Sequence, residues 1–153
     1  MTYPAQAVSP DAGAQSVAEA IALELAARDL YDAAIEAGAD DPLWHALREQ
    51  HESYAQRLAG IAGLSASGAD SGLVDELSGD FTGSAAVEAA AALENSLAAG
   101  HTDRLPAVTG NELASAIASI VTAEARQATV LALLAGETDP EVLYVNPTSE
   151  AGV

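Results

Sequence analysis

The sequence contains no cysteine and no lysine, and aromatic residues make up only 4% of its 153 positions. Without cysteine there is no disulfide, no thiolate nucleophile and no Cys-ligated zinc, so any metal ligands must be carboxylates or imidazoles. A chain of this length can bury about two-thirds of its unfolded surface in one domain. It therefore needs no covalent staple.

Positive charge is also scarce, because five arginines stand against 23 acidic residues and the formal net charge is −18. A field of that sign repels phosphate backbones and anionic headgroups, which argues against nucleic-acid binding and membrane-surface binding. It favours cations and basic partners, although an acidic surface that only keeps the protein soluble explains the same composition. No continuous run of about 18 apolar residues is present, so we expect no membrane span.

The first residues, MTYPAQAVSPDAGAQ, lack the basic and apolar regions of a signal peptide. We expect residues 1–15 to form a disordered lead-in. The same residues could also be the N-terminus that remains after an export signal has been removed. The last residues, 139–153, contain two prolines and predict an extended, non-helical tail that docks on the domain or is offered to a partner.

Between these ends, residues 16–138 are alanine-rich, poor in β-branched residues and free of alternating patterns, which predicts an all-α domain. Capping signals predict four helices: Ser16 to Gly38, Asp41 to Gly63, Ser84 to Gly100, and Thr109 or Asn111 to Gly136. Residues 64–83 form a long connection with only a short helical turn around Leu73 to Leu77. The pattern predicts a four-helix bundle of two helical hairpins joined by a crossover.

Four glutamates occupy or border the apolar stripes of these helices, one on each helix: Glu24, Glu52, Glu94 and Glu124. A buried, unpaired carboxylate costs several kcal/mol or takes up a proton. Converging carboxylates therefore require compensating cations, protons or water. A pair of divalent metal ions would supply that charge.

Three stretches resemble a known family: AIALELAARDLYDAAIEAG, FTGSAAVEAAAALENSLAAG and ASIVTAEARQATVLALLAG. They are similar to helices one, three and four of the ferritin-like domains of bacterial desiccation-related proteins, within the ferritin-like superfamily. The resemblance implies a four-helix bundle with a di-iron or di-manganese centre, built from single glutamates on two helices and a Glu-x-x-His pair on each of the other two. It places Glu24, with Tyr31 seven residues later, and Glu94 at ligand positions. It also implies an exported or cell-envelope location.

The chain departs from this family pattern at both histidine positions. The second-helix motif falls on Glu52 and Ala55, and the fourth-helix motif falls on Glu124 and Gln127. Alanine has no donor atom, and an amide oxygen is a weak ligand for transition metals. We therefore expect a degenerate site with weak or absent metal binding in a domain kept for stability, interaction or dimerisation. The alternative is a metal-binding oxidoreductase or storage protein that holds iron or manganese with the four carboxylates alone.

Arginines and histidines near these glutamates leave further alternatives open. Arg28 and Arg48 lie four residues from Glu24 and Glu52, where they can fill the charge vacancy of a missing metal or form ordinary surface pairs. His51 lies on the apolar stripe of helix two, and His101 is expected just past helix three. We expect these histidines to bond carboxylates in or beside the core, and a rearranged ligand set that uses one of them stays open. Small residues on exposed helix faces are compatible with a homodimer.

Overall fold

A computed structural model describes residues 10–144, and all regular structure within that range is helical, which confirms the prediction of an all-α protein. Residues 1–9 and 145–153, which carry most of the predicted lead-in and tail, lie outside the described residues. The elements are α1 (Pro10–Glu36), α2 (Pro42–Ala62), α3 (Ser71–Phe81), α4 (Ala86–Arg104), a 3-10 turn (Leu105–Ala107), α5 (Asn111–Leu134) and α6 (Pro140–Tyr144).

Two helical hairpins make up the body of the bundle. The most extensive contacts run between α1 and α2 and between α4 and α5, while α1 also meets α4 and α2 also meets α5. The short helix α3 lies in the connection between the hairpins and packs on α1 and α4. Each long helix therefore contributes one face to a shared interior.

The boundaries of α2 agree with the sequence prediction. The Asp41 side chain accepts a hydrogen bond from the Leu43 N–H at 2.8 Å, and Pro42 occupies the first helical turn. Gly63 ends the helix in a left-handed conformation with φ of 67°, which glycine adopts without a steric penalty. The cap and the terminating glycine fix where this helix starts and stops.

Helix α1 begins at Pro10, six residues before the predicted cap at Ser16. Proline is favoured in a first helical turn, and the alanines that follow extend the helix toward the neighbouring 3-10 turn. The backbone passes so close to this turn that a Cβ on Gly13 would lie 3.0 Å from the Ala107 carbonyl oxygen. The predicted lead-in is thus helical over residues 10–15.

Three other elements are more helical than the sequence indicated. In place of a turn, α3 spans 11 residues, capped by Asp70 and ending in buried Phe81. Helix α4 continues through Gly100 to Arg104, so the prediction that His101 lies past the helix is wrong. Within the predicted extended tail, residues 140–144 form α6, which contacts α5. In each case the extra turn brings an apolar or paired side chain into contact with the bundle.

The buried apolar residues form two clusters along the bundle axis. One contains Leu30, Tyr31, Trp44, Leu97 and Leu131, together with Leu73 and Phe81 from α3. The other contains Val17, Ile21, Leu58, Leu113 and Ile117. The position of each cluster along α1, α2 and α5 leaves a gap near the middle of these helices.

We predict that Asp41→Ala destabilises the protein by about 1 kcal/mol, because it removes the acceptor for an otherwise unpaired helix N–H. For a chain of this size that corresponds to a fall in Tm of about 3 °C. The matched control is Asp40→Ala, which removes an exposed carboxylate from the same end of the helix. An equal fall in Tm for both variants, measured by thermal unfolding, would contradict the capping role of Asp41.

Candidate metal centre

A layer of five polar side chains lies in the gap between the two apolar clusters. Glu24 comes from α1, His51 from α2, Glu94 and His101 from α4, and Glu124 from α5. None of the five is more than 1% exposed. Ionisable groups are almost never buried this deeply without partners, so the layer requires a specific arrangement of charge.

Helical periodicity puts each of these side chains on an inward face. His51 follows buried Leu47 by four residues and precedes buried Leu58 by seven, so it lies in the apolar stripe of α2. On α4, His101 lies seven residues after Glu94 and four after buried Leu97. The helix must pass through Gly100 to place His101 there, which costs roughly 1 kcal/mol relative to alanine.

Glu24 is the centre of the layer because both of its oxygens are bonded to histidines. His101 Nε2 lies 2.6 Å from Glu24 Oε1, and His51 Nδ1 lies 2.7 Å from Glu24 Oε2. Burial opposes ionisation of this carboxyl group, but the hydrogen bonds from His101 and His51 outweigh it and lower the pKa of Glu24 to about 2. Glu24 is therefore an anion that accepts one hydrogen bond from each of the two histidines.

His51 bridges two carboxylates. In addition to its bond with Glu24, its Nε2 lies 3.0 Å from Glu94 Oε1. Burial favours the neutral ring, yet the nearby charge of Glu94 and the hydrogen bonds to Glu24 and Glu94 raise the pKa of His51 to about 10. Donation from both ring nitrogens is possible only for the imidazolium. His51 is thus the internal cation of the layer.

Tyr31 completes the surroundings of Glu94 and His51. Its hydroxyl donates to Glu94 Oε1 at 2.5 Å, and its ring stacks on the His51 ring with centroids 5.4 Å apart. Burial, followed by the charge of Glu94, raises the pKa of Tyr31 well above its usual value. Tyr31 therefore remains a neutral donor that holds Glu94 and the imidazolium in position.

Glu124 is the least satisfied member of the layer. Among the described residues, neither of its oxygens accepts a hydrogen bond from an N–H or O–H group, and His101 Nε2 lies 3.6 Å from Oε1. Burial, the negative charges of Glu24 and Glu94, and a hydrogen bond shared with Glu24 raise the pKa of Glu124 well above its usual value. Glu94 Oε2 and His101 Nδ1 also lack partners in this part of the chain. Buried polar atoms without partners are rare and require an explanation, such as a functional role or a bound water or ion.

Three of these residues can hold a metal ion. One ligand atom each from Glu24, His51 and Glu124 lie within 4.8 Å of one another. Two ligands of a single zinc ion lie at most about 4.2 Å apart, twice the length of a coordination bond. Small side-chain rotations would therefore bring the set to coordination distance. Oxygen and imidazole donors suit Zn²⁺, Fe²⁺ and Mn²⁺.

The other sequence-predicted site residues lie around this layer and not in it. Glu52 is at the edge of the bundle, where its Oε2 accepts from Arg28 Nη1 at 2.9 Å. Arg28 also binds Asp29, while Arg48 donates to Asp32 at 3.0 Å, so these arginines form partly exposed pairs. Neither arginine pairs with a buried glutamate. The predicted neighbours differ in setting: Ala55 is fully buried, whereas Gln127 is half-buried and donates to Gln50.

On α2, His51 lies in the buried layer, whereas the predicted Glu52 lies one residue later at the edge of the bundle. His51 and Glu52 differ by 100° around the helix, and the stripe through Leu47 and Leu58 selects His51. The prediction that His101 follows the helix is wrong because Gly100, a common helix terminator, lies within α4. The expectation that these two histidines bond carboxylates is confirmed.

In comparisons with protein-family models, curated proteins and solved structures, nothing matches this chain. The interpretation of the site therefore depends on its own residues.

We predict that stability is greatest near pH 4.5 and falls as the pH rises toward 10. Folding lowers the pKa of Glu24 from 4.5 to about 2, so its contribution is lost only as the pH falls below 4.5. Folding raises the pKa of His51 from 6.5 to about 10, so its contribution is lost as the pH rises through that range. Glu124 retains a proton that the unfolded chain releases above 4.5. Each proton that the folded state keeps and the unfolded state releases lowers the free energy of unfolding by about 1.4 kcal/mol per unit rise in pH.

Glu124→Gln tests this explanation, because the amide stays neutral without a bound proton. The variant should have a higher Tm than the unmodified protein at pH 8, and the difference should shrink as the pH is lowered to 5. Glu76→Gln, which changes an exposed glutamate on α3, is the control and should show no such trend. A Glu124→Gln Tm that is below the unmodified value at pH 8 would contradict a protonated Glu124.

Proposed function

We propose that this protein is a ferritin-like four-helix bundle that binds one divalent transition-metal ion through Glu24, His51 and Glu124. The observation that carries the proposal is the position of Glu124: its carboxyl group is fully buried, accepts no hydrogen bond within the described chain, and has an oxygen within 4.8 Å of ligand atoms of Glu24 and His51. An ion bound there would supply the positive charge that this side of the layer lacks.

The ferritin-like assignment has two kinds of support. The sequence around Glu24, Glu94 and Glu124 resembles that of ferritin-like helices. These three glutamates also lie together in the interior formed by two helical hairpins. The second-helix residue in the layer is His51, so the site differs from a four-carboxylate arrangement. A single ion suits three donors better than a pair of ions.

Metal binding in this layer competes with protons. His51 and Glu124 must both lose a proton before they can coordinate, and the high pKa of His51 makes that loss costly at neutral pH. We expect the affinity to increase with pH and binding to release protons to the solvent. When His51 loses a proton it can keep only one of its two donated hydrogen bonds, while His101 still donates to Glu24 and Tyr31 still donates to Glu94.

A metal-free bundle is the second candidate, because the structure contains an internal cation. With His51 protonated, both oxygens of Glu24 and one oxygen of Glu94 accept hydrogen bonds from histidine. That arrangement stabilises the buried anions without an ion. It agrees with a degenerate site in a domain kept for stability or interaction.

Titration of the purified protein with Co²⁺ and Zn²⁺ distinguishes the two candidates. We expect one ion per chain, a Co²⁺ absorption spectrum that depends on His51 and carboxylate ligands, and calorimetric heats that reveal proton release. Glu124→Gln should lower the affinity by more than about 100-fold, since it replaces a ligand and not merely a supporting group.

Two controls separate this site from nonspecific binding by an acidic surface. His45→Gln alters an exposed histidine on the same helix as His51, and Glu52→Gln alters the glutamate that pairs with Arg28. Both should keep the affinity of the unmodified protein. Binding that survives Glu124→Gln, or the absence of binding at millimolar metal and pH 8, would overturn the metal site in favour of the metal-free bundle.

A further inference from the structure

One of the four sides of the bundle has no covering helix. Helices α1 and α2 pack closely along each other, as do α4 and α5, and the short helix α3 lies across the side between α1 and α4. Contacts between α2 and α5 are less extensive, and no other helix within residues 10–144 packs on both of them. The side between α2 and α5 is therefore the least protected approach to the buried layer.

A groove lies on this uncovered side. It has a volume of about 270 Å³, and its lining includes Leu43 and Gln50 from α2 together with Gln127 and Val130 from α5. Arg126 is the only charged side chain among the residues that line it. Apart from this arginine, the two glutamines are the only polar side chains of the lining.

Oxygen atoms that accept no hydrogen bond continue from this groove into the layer. Gln127 follows Glu124 by three residues, so the two side chains lie one turn apart on the same face of α5. The Gln127 Oε1 atom is buried and has no donor within the described chain, and the same is true of both Glu124 oxygens. Carboxylate and amide oxygens both bind divalent cations. They provide a path of ligands from the half-buried Gln127 to the fully buried Glu124.

Tyr54 lies against the layer on the α2 side of this path. Its ring packs edge-on against the fully buried His51 ring, with centroids 5.8 Å apart, although Tyr54 itself is partly exposed. Burial, followed by the charges of Glu124 and the other two buried glutamates, raises the pKa of Tyr54 to about 12, and a hydrogen bond from Gln127 opposes part of this rise. Tyr54 thus lies between the solvent and the layer.

Hydrogen bonds between side chains hold this side of the bundle closed. Gln127 donates to Gln50 on α2 as well as to Tyr54, so three side chains link α2 to α5 beside the layer. All three are at least partly exposed. Rotation of exposed side chains is fast and does not require the helices to separate. The link can therefore open while the bundle stays folded.

We propose that metal ions and water reach the buried layer between α2 and α5, past Gln127, and that Tyr54 is the side chain that closes this route. The route for ions rests on the proposed metal site, whereas the route for water does not. Tyr54 and Gln127 act on the rates at which an ion binds and leaves, and Glu24, His51 and Glu124 determine its affinity.

Arg126 opposes the entry of cations through the groove. The net charge of −18 attracts cations to the surface as a whole, but this arginine forms no ion pair within residues 10–144 and repels them locally. Removal of its charge should speed entry only if ions pass through this groove. Arg48 provides a matched comparison, because it carries the same charge and pairs with Asp32 on the side of α2 that faces α1.

Hydrogen exchange of the His51 ring N–H groups tests the route without any metal. In the metal-free, ¹⁵N-labelled full chain at pH 7, Tyr54→Ala should raise their exchange rate with water by at least about 10-fold, because it removes the side chain that closes the route. Tyr54→Phe keeps the ring and should exchange at nearly the unmodified rate. Ile61→Ala truncates a partly buried side chain that packs on the apolar cluster around Leu58 and Ile117, and it controls for a general loss of stability.

An equal rise in exchange for Tyr54→Ala and Ile61→Ala would overturn the route, since exchange would then follow unfolding of the chain and not a local opening. Exchange that Tyr54→Ala leaves unchanged would overturn it as well.

Stopped-flow binding of Co²⁺ tests the passage of ions. Tyr54→Ala should raise the association and dissociation rate constants by a similar factor of about 10, so that Kd changes little. Arg126→Gln should raise the association rate constant, whereas Arg48→Gln should not. Unchanged rate constants in Tyr54→Ala, or equal effects of the two arginine variants, would overturn the route for ions. Absence of Co²⁺ binding by the unmodified protein would instead refute the metal site, and hydrogen exchange then decides the route.

Discussion

Charge compensation inside the bundle is the constraint on which the rest of the structure depends. Three glutamates are buried at the same level, and an isolated buried carboxylate would destabilise the fold by several kcal/mol. The two histidines reduce this cost by donating to Glu24, and His51 also donates to Glu94. Because these contacts join α1, α2 and α4, the layer also fixes the register of the helices.

The same compensation explains why the layer is asymmetric. Glu24 and Glu94 have partners, whereas Glu124 is compensated mainly by its own proton. Removal of that proton would leave an unpaired anion next to two others, which requires a cation to take its place. In the proposed site a metal ion would take the place of this proton, so we expect binding to depend on pH.

The sequence predicted most of this fold and part of the site, for identifiable physical reasons. Caps such as Asp41 and Gly63 depend on local chemistry, so the bounds of α2 were accurate. Three of the four selected glutamates are buried together. The sequence identified them because a residue within the apolar stripe of a helix faces the interior. Glu52 borders its stripe, and helical periodicity alone did not separate it from His51.

The remaining features depend on tertiary contacts that local signals do not encode. Gly100 is an ordinary helix terminator, and the bond between His101 and Glu24 compensates for its presence in α4. The extra length of α3 similarly reflects the burial of Phe81 against the bundle.

The most direct measurement of the central claim is anomalous diffraction from crystals of the Zn²⁺-loaded protein. If the proposed site binds the ion, one strong peak should lie between Glu24, His51 and Glu124. Peaks confined to surface carboxylates would contradict that site.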